Sequence, residues 1–188
     1  MIVGVDEVGR GCWAGPVVAG AVLLAKPMRG LRDSKKLTKA QRETLDIRIR
    51  RTALAVGIGW ASHHEIDEKG LTEAVRLAMQ RAVAQITLPY EQLIIDGNYN
   101  FLPEIACSQT LIKADDTVPA VSAASIVAKV ARDAWMATHA AKAFPAYGFD
   151  KHVGYGTPQH RASIAEFGLC ELHRRRFAPI RAIEGFVA

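Results

Sequence analysis

Cysteine is scarce in this chain of 188 residues: Cys12, Cys107 and Cys170 stand far apart, odd in number and without CxxC spacing. That pattern argues against a disulfide framework and against a cysteine-built zinc site. No apolar run approaches the roughly 20 residues needed to cross a bilayer. The N-terminus, Met-Ile-Val-Gly-Val-Asp-Glu, lacks the basic segment and apolar core of a secretory signal. Repeats, low-complexity tracts and linkers are missing as well. A reducing cytoplasm, with no membrane contact, is therefore the expected setting. Disorder is also a poor reading, because 49% of the residues are hydrophobic and 23% charged, ordinary globular usage. A chain this long buries roughly 70% of the surface exposed on unfolding, so no staple is required.

What the chain does have is positive charge, with a net of +5 and a pI near 9.3. Residues 26–51 hold ten Lys/Arg (Lys26, Arg29, Arg32, Lys35, Lys36, Lys39, Arg42, Arg48, Arg50, Arg51) against Asp33, Glu43 and Asp46. A solvated helix face would explain this stretch alone, yet the excess tilts the partner list toward polyanions.

Ile2–Val5 and Val17–Leu24 read as neighbouring strands separated by a segment rich in glycine. Ala53–Trp60, Leu93–Ile95 and Ile105–Ile112 read as three more. Thr38 is placed to cap a helix from about Lys39 to Arg51. Leu71–Ile86 carries apolar residues at helical spacing, and so does the Ala-rich Val121–Ala143. A short helix is expected near Gln159–Glu166. The order predicts an α/β chain with a mixed central sheet flanked by helices. It forms a single domain, 1–188, of which about 145–188 is a small helical C-terminal appendage that contacts substrate.

Carboxylates recur where these strands end. Asp6-Glu7 closes the first strand and leads into Gly9-Arg10-Gly11; for both acids to serve one site, the strand is expected to break at Glu7. Asp96 ends Ile94-Ile95, where an Asx turn is the competing explanation. Asp115-Asp116 follows a third strand and could equally cap the next segment. A dinucleotide loop is excluded by the glycine spacing and by two carboxylates that would repel a pyrophosphate. Open α/β sheets place their sites at strand ends, and clustered hard oxygen donors select Mg²⁺ or Mn²⁺. In a basic chain such a cluster suggests phosphodiester hydrolysis assisted by one or two metal ions.

Six segments then coincide in order with one family: Asp6–Gly11, Asp33-Ser34-Lys35-Lys36-Leu37, Ile95–Asn98, Lys113-Ala114-Asp115, Ser122–Asp133 and His152–Thr157. Spread over nearly the whole chain, they resemble the signatures of type 2 ribonucleases H, of the bacterial ribonuclease HII type. The resemblance implies a ribonuclease H-like fold, with Asp6, Glu7, Asp96 and Asp115 as the catalytic acids holding Mg²⁺ or Mn²⁺. It implies that Gly9, Arg10 and Gly11 form the loop that reads a ribonucleotide's 2′-hydroxyl, and that Tyr155 packs on the following sugar. Only the 2′-hydroxyl distinguishes RNA from DNA locally, which suits both roles. Lys35, Lys36, Ser122, Ser125 and Lys129 are candidates for backbone phosphates. The implied substrates are RNA–DNA hybrid duplexes and DNA containing single ribonucleotides. The implied cut lies 5′ of the ribonucleotide and leaves a 3′-hydroxyl and a 5′-phosphate, as in ribonucleotide excision repair. A monomer is expected.

Two positions depart from the family pattern: Val153 stands where Lys is usual, removing a charge near a phosphate, and Arg176 stands where Ser is common. A ribonuclease HIII-like enzyme is the same-class alternative. It is disfavoured because the acidic strand begins at residue 2, without an added N-terminal domain. A catalytically silent nucleic-acid-binding protein on the same fold would lack one of the four acids. His63-His64-Glu65 is read as exposed polar residues, since adjacent histidines on a helix diverge by about 100°. His173-Arg174-Arg175-Arg176 reads as a basic surface patch, and Asp133 as a structural partner of Arg132 or Lys129.

Overall fold

A computed structural model describes residues 1–31 and 34–184. Arg32 and Asp33, which belong to the basic stretch and to the second motif, lie outside the described residues. Ile2–Val8 (β1), Val17–Leu23 (β2), Ala55–Ala61 (β3), Gln92–Asp96 (β4) and Ser108–Leu111 (β5) form one sheet in the order β3-β2-β1-β4-β5. β1–β2 and β2–β3 are antiparallel, whereas β1–β4 and β4–β5 are parallel. This is the mixed sheet expected. Lys39–Thr52 (α1) begins at the predicted cap: Thr38 Oγ1 accepts from Gln41 N at 3.3 Å, and Gln41 Oε1 accepts from Thr38 N at 2.9 Å. His63–Lys69 (α2), not anticipated, has the same reciprocal arrangement between Ser62 and Glu65.

Strand alternation sends two sets of side chains to two helical layers. Val3, Val5, Ala19, Ala21 and Leu23 meet Ala74, Val75, Ala78 and Met79 of Leu71–Val83 (α3). The intervening positions face Pro119–Trp135 (α5), which follows the short Ala114–Thr117 (α4). Glycine lets α5 touch the sheet backbone. A Cβ on Gly4 would fall 2.1 Å from the Ala120 carbonyl carbon, and one on Gly20 2.4 Å from the Ala124 oxygen. Asp6 belongs to this α5-facing set, because it pairs with Gly20.

After α5 the chain runs through a π-helical turn (Met136–Ala140), Ala141–Ala143 (α6), Phe149–His152 (α7), Pro158–Phe167 (α8) and Ala178–Glu184 (α9). Tyr147, Phe149, Ile164, Leu172 and Ile180 make a second apolar cluster with Met136, Ala140 and Ala14. The C-terminal stretch is thereby packed against the end of the long helix and the loop after β1. No helix among the described residues is long and apolar enough to cross a membrane.

The expected break of β1 at Glu7 does not occur. The strand stays paired with β2 through Glu7↔Ala19 and Val8↔Val18, and turns only at Gly9, where φ is +94°. What stops instead is the parallel ladder with β4, whose last pair is Val5↔Ile95. Asp6 and Asp96 therefore lie just past the end of their shared ladder, Asp6 still paired with Gly20 and Asp96 with Leu111, with no break in the backbone.

Candidate active site

The acidic cluster is built from the ends of neighbouring strands. Asp96 Oδ1 accepts from Ala114 N at 2.7 Å and from Asp115 N at 3.4 Å. Its carboxylate thus caps the helix that carries Asp115, after Lys113 has turned the chain with φ of +58°. The Asx-type role and the site role considered for Asp96 coexist in one side chain. Asp6 and Asp115 are both buried. Glu7 is half-buried and accepts from Arg10 Nη1 at 3.1 Å.

Burial, then the charge of Glu7, push the Asp6 carboxyl well above the usual carboxylate range, and Asp96 adds to the effect. Burial also raises Glu7, against the pull of Arg10. Asp6 and Glu7, desolvated and close to the charge of Asp96, are poised for a hard divalent cation that would neutralise them. The donor set, all oxygen, fits Mg²⁺ or Mn²⁺.

The serines behave differently from their expected part. Ser122 is buried, and its hydroxyl donates to the Asp115 carbonyl at 2.6 Å. Ser125, also buried, shares a 2.8 Å hydrogen bond with Ser34 and bonds the Asp6 carboxylate. Their burial is at odds with direct contact to a phosphate; they brace the acids from beneath. Lys35 and Lys36 are exposed beside them, and Lys36 Nζ reaches both Asp116 oxygens at 2.7 Å. That pair engages the acid adjacent to Asp115.

The Gly9-Arg10-Gly11 loop is fixed by two arginines that sequence reasoning did not place here. Arg174, with no exposed surface, donates from Nε to Gly15 O (2.9 Å), from Nη1 to Arg10 O (3.0 Å), and from Nη2 to Gly9 O (2.7 Å) and Pro16 O (3.1 Å). Burial draws its pKa down to about 10, so it remains a cation at neutral pH. Arg132, equally buried, bonds Pro16 O, Ala14 O and Val153 O. A Cβ at Gly9 would lie 2.3 Å from Arg132 Nε, so the loop and the guanidinium fit only with glycine there. Arg174 and its neighbour His173 are therefore interior residues, and the surface-patch reading of that run is corrected for both. A basic triplet in a loop carries no local sign of which guanidinium turns inward. Asp133 does pair with Lys129, at 3.0 Å.

Tyr155 stands opposite this loop. Its ring is partly exposed beneath Lys129 Nζ at 5.6 Å, and burial pushes its phenol up to about 12, keeping it neutral. Trp13, unexplained by sequence, supports it: a Cβ on Gly156 would fall 2.2 Å from the indole, and Trp13 N donates to Gly154 O at 2.8 Å. Beside Tyr155 lies a cleft of about 460 Å³, lined by Lys39, Arg42, Lys129, Lys151 and Thr157 among others.

Known proteins match this arrangement. A family model described as Ribonuclease HII covers residues 3–180. A Ribonuclease HII of Bordetella pertussis is 52% identical over 186 residues, spanning 97% of this chain and 90% of that protein. The crystal structure of ribonuclease H2 from Pyrococcus horikoshii superposes with a TM-score of 0.84 at 26% identity, covering 98% and 97% of the two chains. Bst-RNase HIII, solved in complex with Mn²⁺, shares the fold with a TM-score of 0.71 at 20% identity, over 98% of this chain and 69% of its own. The chain thus belongs to the ribonuclease HII family, endonucleases that act on the RNA of RNA–DNA hybrids.

Proposed function

We propose that this ribonuclease H cuts on the 5′ side of a ribonucleotide, including a single one embedded in duplex DNA, leaving a 3′-hydroxyl and a 5′-phosphate. The observation that carries the reading is the grouping of Asp6, Glu7 and Asp96, with the Asp115 backbone held on Asp96, beside a Gly-Arg-Gly loop whose carbonyls are bonded by the buried Arg174. Asp6, Glu7, Asp96 and Asp115 would hold Mg²⁺ or Mn²⁺. When bound as a pair, these ions supply an activated water and a stabilised leaving oxygen. The protein's own contribution is orientation. Asp96 fixes the turn that presents Asp115, and Ser125 bonds the Asp6 carboxylate.

The backbone at Gly9, Arg10 and Gly11 reads the 2′-hydroxyl. Gly11 suits a close approach, since a Cβ there would meet nothing within 4 Å and the position is open. Tyr155 offers an uncharged ring face to the deoxyribose that follows, which lacks the hydroxyl a polar site would demand. Lys35, Lys36 and Lys129 would meet backbone phosphates, and the cleft lined by Lys39, Arg42 and Lys151 would extend the track. The biological task is removal of misincorporated ribonucleotides, carried out by a monomer in the cytoplasm.

The test is a DNA duplex carrying one ribonucleotide, incubated with the protein and Mg²⁺ or Mn²⁺, alongside Asp6→Asn protein and an all-DNA duplex. A cut immediately 5′ of the ribonucleotide, missing in both controls, is expected. Cleavage confined to longer RNA–DNA hybrids would replace this specificity with an HIII-like one. Silence on both substrates with duplex binding intact would overturn the assignment of the four acids.

A further inference from the structure

A second set of metal-type donors lies outside the acidic cluster. His63 and His64 open α2, and Glu171 comes from the loop after α8. Each offers one ligand atom, and the three atoms lie within 4.8 Å of one another. His64 Nε2 and Glu171 Oε1 are 3.6 Å apart. Tetrahedral bonds of 2.0–2.1 Å place neighbouring donors about 3.4 Å apart, so this edge of a coordination polyhedron is nearly formed.

The independent observation concerns His63, which is only 8% exposed and whose Nε2 is buried without a hydrogen-bond partner. A buried polar nitrogen left unmatched is costly and calls for an explanation. Its ring sits 4.0 Å from that of His64. The two rings thus lie together despite the divergence expected of adjacent helical histidines. Glu65, their sequence neighbour, is turned away to Arg81 at 2.6 Å.

We propose that His63, His64 and Glu171 form a binding site for a late divalent transition ion of the Zn²⁺ class, separate from the hard-cation site of the four acids. Two imidazoles and one carboxylate suit Zn²⁺ far better than Mg²⁺. Three protein ligands leave one position for water or an outside ligand. The ion would staple α2 to the segment that inserts Arg174 under the Gly9–Gly11 loop. That segment is already latched at a neighbouring point, where Asp67 accepts from Arg175 N and Arg176 N at 2.9 Å each. Binding here tightens the brace of the candidate active site without touching it.

The experiment is a titration of the full-length protein with Zn²⁺ by calorimetry and with Co²⁺ by visible absorption, both in excess Mg²⁺ to fill the acidic site. Ligand variants His64→Ala and Glu171→Gln are both exposed positions, and their metal-free Tm should match the parent. The parent should bind one equivalent, with a Co²⁺ spectrum of nitrogen and oxygen ligation and no thiolate band. Its Tm should rise by about 5 °C or more at a hundredfold excess over Kd. Each variant should bind at least tenfold more weakly and lose the Tm gain. Equal affinity in both variants, a thiolate band, or no binding by the parent would each overturn the site.

Discussion

Replacing Arg174 with methionine removes a guanidinium that donates four hydrogen bonds to the carbonyls of Gly9, Arg10, Gly15 and Pro16 and pairs with no carboxylate among its bonds. Two large effects on stability oppose each other. Each buried carbonyl left without a donor costs about 1–3 kcal/mol. Burial of the charge, which lowers the pKa from 12.5 to about 10, is itself worth on the order of 3 kcal/mol, and neutral methionine removes that penalty. Pro16 O keeps Arg132 Nε and Gly9 O keeps Cys12 N, so two carbonyls lose their donor and the net loss should be at most about 3 kcal/mol, with a fall in Tm of roughly 2–4 °C per kcal/mol in a chain of this size. Activity should suffer far more. The carbonyls released include those of Gly9 and Arg10, in the loop assigned to the 2′-hydroxyl, and a shift of about 1 Å in a positioned group costs about 10²-fold in rate. Single-turnover cleavage, run well below Tm, should show that loss in full on a duplex with one ribonucleotide. On a continuous RNA strand the loss should be smaller, since adjoining hydroxyls offer alternative registers. Arg174→Lys, which keeps the charge but not the fork, should fall between. Parental rates and an unchanged ratio between the two substrates in a folded Arg174→Met protein would refute the positioning role.

Asp6→Asn should raise the Tm of metal-free protein by relieving a buried carboxylate, while addition of Mn²⁺ should raise the Tm of the parent alone; equal metal responses would contradict the ligand assignment. His160 and His173 share a 3.1 Å Nε2–Nε2 contact, with Tyr155 O bonded to Nδ1 of the first and Cys170 N donating to Nδ1 of the second. Burial lowers both pKa values to about 4. The unfolded chain takes up their protons near pH 6.5 and the folded one does not, so stability is complete above pH 6.5 and declines toward pH 4. The slope should be about 1.4 kcal/mol per pH unit for each histidine, and denaturant titrations at pH 7 and 5 should reveal it, a flat response contradicting the neutral pair. Val153→Lys should raise stability by about 0.5–1 kcal/mol, since a β-branched residue is strained at φ of +45°. It should also tighten duplex binding at low salt; a lower Tm would show that the packing of the valine outweighs its strain.

What the sequence reveals and what it hides divides along the range of the interactions. Thr38 with Gln41, the apolar faces of α3 and α5, and acids after short apolar runs are set by neighbours a few residues apart, and each was readable. The break imagined at Glu7 was a local answer to a question that the sheet solves tertiarily, by ending the β4 ladder one residue before Asp6. Ser122 and Ser125 looked like surface donors because nothing within their helix says which face meets Asp115 and Ser34. Arg174 and Arg175 are indistinguishable in a basic run, yet one is sealed among loop carbonyls while the other holds its backbone to Asp67. The same blindness applied to His63 and His64, whose third partner arrives from Glu171. Ser122 with Asp115 aside, each hidden contact joins the C-terminal half of the chain to the first seventy residues. Asp6, Glu7 and Asp96 stand on strands and can be found by pattern, with Asp115 on the short α4 close behind. The group that holds the Gly9–Gly11 loop, Arg174, comes from a segment distant in sequence, and only the folded chain brings it there.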